Sequence, residues 1–216
     1  MILDMKETKW IDEKDGQDFL EYIAYLSDIA AYLSLLYRYP FVEVYKSIKD
    51  YYEDFKLLAA EEYGVSLPQL PDMENMEVEY VRLFKANLQG VVAPLYSSVY
   101  TSDEGLVLRD STLKLRELMM DHGFALKEDM KEIEDNLYVM LEFLSVMLKK
   151  MAEGDADSVP AAFIVVKDYI LPMKEEFCKR LKNGANLEYF KAVSEFLSLF
   201  VEELDPFFEF FCGKNI

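Results

Sequence analysis

Apolar residues recur every three or four positions through most of the chain, which is the period of amphipathic helices. The first such stripe consists of Phe19, Tyr22, Ile23, Leu26, Ile29, Ala30, Leu33, Leu36 and Tyr37. This pattern predicts a long first helix that Pro40 ends or resets, because proline cannot continue a helix. A second helix is predicted from about Val42 to Glu62, with Gly64 placed to cap it.

The middle of the chain predicts a shorter helix followed by an irregular segment. The helix is expected to begin at Asn75, acting as N-cap, and to carry Val78 and Val81 on its apolar face. The helical period then breaks over about 91–110, where a proline, a pair of serines and a glycine interrupt it. Long irregular segments inside compact domains are often functional. We therefore expect this segment to contribute to a binding site.

The second half of the chain predicts more helices. One is expected to start at 110 or 111 and to end at Gly123. The most apolar stripe follows, formed by Ile133, Leu137, Met140, Leu141, Leu144, Met147, Leu148 and Met151. Two further helices are predicted at about 161–182 and 187–212, disturbed by a proline in each. Since no strand-like alternation is visible, the fold class is predicted to be all-α: a single-domain bundle of seven or more helices over residues 1–216.

The charge balance narrows the possible partners. The chain has 41 acidic and 23 basic residues, a formal charge of −18. Such a charge repels nucleic acids and anionic lipid surfaces. It either serves solubility alone or attracts a cationic partner such as an arginine- or lysine-rich peptide. The N-terminus has no signal-peptide pattern, and no long uncharged apolar run is present. Two cysteines, Cys178 and Cys212, predict free thiols. We expect a cytoplasmic protein with no nucleic-acid partner and no stable membrane insertion.

Several kinds of active site are excluded by missing residues. His122 is the only histidine, so metal sites built on several histidines cannot form. It lies near a predicted helix end, where interaction with the helix dipole is favoured over catalysis. The eight glycines are scattered and form no nucleotide-binding loop. The sequence therefore predicts no cofactor, no metal and no enzymatic activity.

Three segments, read in order, carry a family resemblance. They are E-Y-V-R-L-F at 79–84, P-L-Y-S-S-V-Y at 94–100 and E-D-N-L-Y-V-M-L-E-F-L at 134–144. In combination they resemble the TorD/DmsD family, whose motifs read E-Y-x-R-L-F, P-x-x-E-S-V-Y and E-P-x-D-H at comparable spacing. Three departures are clear. Asp135-Asn136 stands where the family has Asp-His, and Ser97 replaces the glutamate of the second motif. Ile133 or Glu134 stands in place of the proline before the acid pair.

The resemblance implies a TorD-like helical fold and a cytoplasmic chaperone that catalyses no reaction. Members of that family bind the apo catalytic subunit of a molybdopterin oxidoreductase, its twin-arginine signal peptide, or both. They support cofactor insertion and export proofreading. The implied partners are therefore the apo-molybdoenzyme subunit and its leader peptide, with the chain acting as a monomer or homodimer.

A receptor for a twin-arginine leader needs carboxylates beside an apolar groove. On this ground we predict a peptide-binding set drawn from the three motifs: Tyr80, Leu83, Phe84, Pro94, Tyr96, Ser98, Tyr100, Asp135 and Asn136. Core packing remains an alternative for the residues at 80, 83 and 84, and a simple helix-start role remains one for Asp135. Arg82 is expected to pair with Glu79 or with the following loop.

Two other functions stay open from the sequence alone. One is a helical adaptor or scaffold without a leader-peptide role. The other is an enzyme that uses carboxylates with a bound metal or nucleotide, which the missing histidines and glycine loops disfavour.

Overall fold

In a computed structural model of the chain, the described backbone covers residues 13–86, 90–101, 110–127 and 132–212, with side chains described over 16–208 within those ranges. Two parts of the chain for which the sequence makes predictions lie outside the described residues: the N-terminus, residues 1–12, and residues 102–109 of the irregular segment. The α-helices are α1 (Glu13–Leu36), α2 (Val42–Tyr63), α3 (Met73–Tyr80), α4 (Ser98–Thr101), α5 (Asp110–Asp121), α6 (Leu137–Ala152), α7 (Ser158–Ile164), α8 (Leu171–Gly184) and α9 (Glu188–Cys212).

Two short π-helical segments extend these helices. Val81–Lys85 continues α3, and Val165–Ile170 joins α7 to α8. The described residues contain one isolated β-bridge and no other strand pairing. The prediction of an all-α fold with seven or more helices is therefore confirmed.

Helices α1 and α6 form the centre of the bundle and run antiparallel. Ser27 Oγ donates to the carbonyl of Ser145 at 2.9 Å, and Ser34 Oγ donates to the carbonyl of Tyr138 at 2.8 Å. These small side chains, with the fully buried Ala30 between them, allow the two backbones to approach closely. Helix α6 buries nearly every side chain from Leu137 to Leu144, so it is the core helix that its continuous apolar stripe predicts.

Helix α1 also passes a test for membrane spanning by length and composition. Residues 16–36 form the one such stretch in the described part of the chain. Half of it is buried within the protein, and it contains Asp18, Glu21 and Asp28. A buried core helix of a soluble protein satisfies the same criteria, and the packing of α1 against α6 is of that kind.

The sequence located most helix ends correctly. Gly64 adopts a left-handed conformation (φ 68°) and its N–H donates to Ala59 O, as a C-capping glycine does. Gly123 also has a positive φ just after α5. Pro40 lies between α1 and α2, as predicted. Cys178 is free, whereas the side chain of Cys212 lies outside the described residues.

Four local predictions need correction. Helix α3 is capped by Asp72, whose Oδ1 accepts from the N–H of Asn75, so Asn75 is not the N-cap. Val78 and Val81 are exposed, and the buried face carries other residues of that helix. Helix α6 begins after Asn136, which leaves Ile133 outside it. The sequence predicts a surface loop from Glu153 to Pro160, but α7 already begins at Ser158.

The two prolines within the last helices, Pro172 and Pro206, are accommodated in different ways. Pro172 has no N–H and its ring collides with the carbonyl four residues earlier in a regular α-helix. The π-helical segment directly before it widens the helix, with Leu171 N donating to Val166 O, and α8 then continues. Pro206 is accommodated inside α9, which runs on to Cys212.

Candidate peptide-binding site

The second and third sequence motifs meet in the folded chain. Residues 94–101, here called the motif loop, lie against the start of α6. Ser97 N donates to Asp135 O at 2.9 Å and Leu137 N donates to Leu95 O at 2.7 Å, which makes Tyr96 and Asn136 an antiparallel bridge pair. Because both strands of this contact come from motif residues, the spacing of the motifs specifies a tertiary junction.

Asp135 and Asn136 have separate roles at this junction. Asn136 is the N-cap of α6, and its Oδ1 accepts from the N–H of Tyr138 at 3.2 Å. Asp135 lies one residue earlier and turns toward the motif loop, where its Oδ2 accepts from the N–H of Ser98 at 3.0 Å. Both side chains are almost completely buried. Asp135 is therefore a loop anchor rather than a helix cap.

Burial changes the acidity of Asp135. Loss of hydration raises the pKa of its carboxyl group above the usual range for aspartate, although the hydrogen bonds from Ser98 act in the opposite direction. The neighbouring carboxylate of Glu134 adds to the increase. Among the described residues, Asp135 Oδ1 and Asn136 Nδ2 are buried with no hydrogen-bond partner. This polar centre is consequently incompletely satisfied.

Glu132 is a member of this site that the sequence reasoning missed. Tyr96 Oη donates to its Oε1 at 2.8 Å, Tyr138 Oη donates to its Oε2 at 3.4 Å, and Lys85 Nζ lies 3.5 Å from Oε2. Burial, followed by the charge of Glu132, raises the pKa of both phenols, so they remain neutral donors. The acidic first position of the family's third motif was the available signal, because Glu132 precedes Asp135 by three residues.

Arg38 completes the outer face of the site. Its guanidinium stacks over the ring of Tyr138, with Cζ 5.1 Å from the ring centroid, and pairs with Glu142. The ring of the next residue, Tyr39, packs edge-on against that of Tyr80, with centroids 5.4 Å apart, and at a tilt against that of Phe41, with centroids 4.5 Å apart. Phe41 is 61% exposed. These contacts join residues that are far apart in the sequence, so helical periodicity could not identify them.

The first motif is mainly structural. Glu79 is buried and pairs bidentately with Arg82, at 2.7 and 2.8 Å, as the sequence predicted. Glu79 Oε1 also accepts from the N–H of Asn186 at 2.5 Å and Arg82 donates to Gly184 O at 2.6 Å. Burial opposes ionisation of Glu79, but these partners lower the pKa of its carboxyl group below the usual range. The pair thus fixes the connection between α8 and α9.

The predicted peptide-binding residues divide into two groups. Tyr80, Leu83 and Phe84 are core residues with at most 3% of their surface exposed; Tyr80 Oη donates to Tyr37 O, and a ligand cannot reach them in this conformation. Ser98 is buried as well. Their role in this structure is to support the motif loop, as Ala93 N donates to Leu83 O at 2.9 Å.

Pro94, Tyr96 and Tyr100 retain partial exposure on the motif loop. Tyr100 Oη donates to Pro94 O at 2.7 Å, and its ring lies under the guanidinium of Arg180 at 5.1 Å. The loop therefore presents two aromatic side chains in fixed positions, Tyr96 beside the carboxylate of Glu132 and Tyr100 beside Arg180. In the described part of the chain no group of histidine, cysteine and acidic side chains is arranged to hold a metal ion.

The sole histidine is remote from this surface chemistry. His122 Nδ1 lies 2.9 Å from Leu118 O and Nε2 lies 3.2 Å from Asp157 O. Its ring thus contacts a carbonyl in the last turn of α5, in agreement with the predicted role at a helix end.

Comparison with known proteins places the chain in a family. The sequence profile described as nitrate reductase delta subunit matches residues 49–179. A chaperone protein TorD from Vibrio parahaemolyticus is 26% identical over 145 residues, which are 62% of this chain and 66% of that protein. A chaperone protein TorD from Vibrio cholerae is 32% identical over 84 residues, 37% of each chain. The matched regions thus span less than two thirds of these relatives.

A solved structure supports the fold. The crystal structure of a candidate redox enzyme maturation protein from Archaeoglobus fulgidus superposes with a TM-score of 0.58 at 22% identity, covering 82% of this chain and 93% of that one. At this identity the similarity establishes the all-helical architecture alone.

Proposed function

Because the chain belongs to the TorD family, matched by the nitrate reductase delta subunit profile over more than half of its length, we propose that it is a chaperone in the maturation of a molybdopterin oxidoreductase. It binds the apo catalytic subunit, and its twin-arginine leader where one is present, in the cytoplasm. Binding supports cofactor insertion and holds back export until insertion is complete. Family membership also supports the prediction that the chain is not an enzyme.

The observation that carries this proposal is the junction between the motif loop and the start of α6. Backbone hydrogen bonds on both sides of the Tyr96–Asn136 bridge hold the loop in place. A rigid loop loses little entropy on binding, so its partly exposed aromatic groups are well suited to capture a peptide. The family motifs are thus used to build one surface.

The chemistry of that surface suits a cationic, partly apolar segment. Glu132 is a carboxylate held by two phenols and by the single long contact from Lys85. A leader arginine that displaces Lys85 gains a planar donor fork, which matches a carboxylate better than an ammonium does. The ring series Tyr80, Tyr39 and Phe41 extends from this point to exposed apolar surface.

We accordingly revise the proposed peptide-contacting set. Pro94, Tyr96 and Tyr100 remain in it, joined by Glu132, while Asp135 and Asn136 position the loop. The net charge of −18 supports attraction of an arginine-rich leader over longer distances.

The test is an affinity purification of the tagged full chain from its own organism, grown by anaerobic respiration, with mass spectrometry of the co-purifying proteins. We expect the apo form of a molybdopterin oxidoreductase subunit. A variant with Tyr96→Ala and Glu132→Gln should recover less of it, and Glu117→Gln, on the exposed side of α5, should recover a normal amount. A folded bait that recovers no such subunit would instead support the adaptor or scaffold function.

A further inference from the structure

A second polar cavity lies well away from the motif loop, between α1, α2 and α9. It has a volume of about 440 Å³ and is lined by Tyr22, Tyr25, Glu62, Tyr63, Leu199, Glu202 and Glu203. Helix α1 connects the two places, because Arg38 follows its C-terminal end and Tyr22 lies in its first half. Fourteen helical residues separate Tyr22 from Leu36, which corresponds to about 21 Å. Two adjacent arginines of one peptide therefore cannot reach both the site at the motif loop and this cavity.

Glu203 is the centre of this cavity and is prepared for a positive partner. Tyr22 Oη and Tyr63 Oη each donate a short hydrogen bond to one of its two carboxylate oxygens. These bonds fix the orientation of the carboxylate, and they are hydrogen bonds from neutral phenols, so they do not neutralise its charge. In the part of the chain that the structure describes, no lysine or arginine lies within ion-pair distance of Glu203 or Glu62.

The negative charge of Glu202 is already paired with a lysine. Lys174 Nζ lies 2.7 Å from its Oε1, and Ser198 donates to the same oxygen at 3.1 Å. The interaction with Lys174 lowers the pKa of Glu202. Within the described ranges, Glu62 and Glu203 are therefore the two carboxylates of the cavity that have no basic side chain beside them.

Tyr25 supplies an independent sign of an absent partner. Its hydroxyl oxygen is buried and, among the described residues, has no hydrogen-bond partner. Tyr25, Glu62 and Glu203 line the same cavity. Burial, followed by the charges of these two acids, raises the pKa of the phenol. A buried hydroxyl without a partner is costly, and a donor entering the cavity would satisfy it.

The walls of the cavity select among cations. Tyr22 and Tyr25, whose rings are stacked with centroids 6.4 Å apart, both line the cavity and give it aromatic walls. A guanidinium is planar, stacks on such faces and donates in a fork to carboxylates, whereas an ammonium is compact and strongly hydrated. A metal ion is disfavoured because no metal-holding cluster occurs in the described residues.

We propose that the cavity between Tyr22, Tyr25, Glu62, Tyr63 and Glu203 binds an alkyl-guanidinium group, of the kind that an arginine side chain carries. The inference rests on this cavity alone and is independent of the function proposed for the motif loop. The guanidinium can belong to another polypeptide or to a small free molecule, and both sources share this chemistry.

The test is a titration of the full chain, observed by two-dimensional NMR, with Nα-acetyl-arginine methylamide. Shifts are expected at residues around the cavity, with binding at least fivefold weaker for the lysine analogue. The citrulline analogue, which has the same shape without the charge, should cause no shifts there. A nine-residue peptide with one central arginine distinguishes the sources: tighter binding than the methylamide indicates a polypeptide, and equal binding indicates a small molecule.

Two variants make the assignment specific. Glu203→Gln should weaken binding at least tenfold, and Glu62→Gln, at an exposed position with no described hydrogen-bond partner inside the protein, should weaken it severalfold without affecting folding. Glu132→Gln, at the motif loop, should leave these shifts unchanged. Equal shifts from the arginine and citrulline compounds, or arginine binding that survives Glu62→Gln and Glu203→Gln unchanged, would overturn the proposal.

Discussion

The backbone N–H of Ser98 donates a 3.0 Å hydrogen bond to Oδ2 of Asp135 across a separation of 37 residues. This bond connects the second family motif with the third through a side chain, beside the backbone contacts of the Tyr96–Asn136 bridge. It explains why an acid at position 135 matters even where the following family histidine is replaced by Asn136. The acid holds the loop, and its buried position keeps it from the solvent.

Two substitutions of Asp135 distinguish the effect of its hydrogen bond on stability from the effect of its charge. Asp135→Ala leaves the Ser98 N–H buried without an acceptor and should destabilise the fold by about 1–3 kcal/mol. Asp135→Asn retains an acceptor and removes a buried charge, so at neutral pH it should be at least as stable as the wild type. Urea denaturation followed by circular dichroism measures both. An asparagine variant as unstable as the alanine variant would contradict this account.

The same carboxyl group should give a defined pH dependence. Its pKa is raised in the folded protein, so the folded state binds the proton more tightly than the unfolded state does. Asp135 therefore contributes more stability at acidic pH, and this contribution is lost as the pH rises through its folded-state pKa. The stability of the wild type relative to Asp135→Asn should increase as the pH is lowered from 7. A constant difference would exclude a raised pKa.

The pair of Glu79 and Arg82 should be a strong structural determinant. Glu79→Ala leaves the backbone N–H of Asn186 and the partly buried guanidinium without their acceptor, at a cost of about 2–4 kcal/mol. The pKa of Glu79 is lower in the folded protein than in the unfolded chain. Its contribution to the free energy of unfolding is therefore complete at pH values above the usual pKa of glutamate, and it is lost as the pH falls through the lowered, folded-state pKa. Thermal unfolding at pH 7 measures the loss of stability in Glu79→Ala. Glu61→Ala, at an exposed position on α2, is the control, and little change in its stability is expected.

Leader binding should depend on Glu132. With a synthetic peptide that carries two adjacent arginines and an apolar segment, Glu132→Gln should weaken binding about tenfold, since it removes a charge-assisted hydrogen bond. Tyr96→Phe, which removes one phenol donor to Glu132, should have a smaller effect. Calorimetry measures both, and Glu117→Gln serves as the matched surface control. Unchanged affinity in Glu132→Gln would show that the leader arginines contact another part of the chain.

Binding of that peptide should weaken as salt is added. Electrostatic attraction between an acidic protein and a cationic leader is screened within about 10 Å at 0.1 M salt. Raising sodium chloride from 50 to 500 mM should therefore reduce the affinity roughly tenfold. A peptide with both arginines replaced by glutamine should bind weakly and show little salt dependence. Equal salt dependence of the two peptides would exclude arginine as the source of the effect.

The sequence determined the helices more reliably than the site. The stripe from Phe19 to Tyr37 and the glycines at 64 and 123 act through local geometry, so periodicity and capping rules locate them. The sequence did not identify Asp72 as the N-cap of α3, because Asn75, three residues later, is an equally favoured N-cap residue. The π-helical segments result from packing and from Pro172, and no local pattern marks the first of them. That residues 1–216 form a single domain stays a prediction.

The site depends on contacts across the fold. Arg38, Glu132 and Tyr138 approach one another only because α1, the motif loop and α6 converge. Tyr80, Leu83 and Phe84 are motif residues, but their helical spacing indicated the core, and that alternative agrees with their burial. A family motif identifies residues that matter without stating whether they bind a partner or support those that do.

The pairing of α1 with α6 has a consequence for synthesis of the chain. Ser27 and Ser145, which meet in this interface, are 118 residues apart. A ribosome adding about 5–20 residues per second needs roughly 6–24 s to reach the second after the first. For that time the apolar face of nascent α1, the segment that satisfies the criteria for a membrane span, has no native cover. A protein proposed to shield immature enzymes thus passes through a stage of its own production in which its first helix needs shielding.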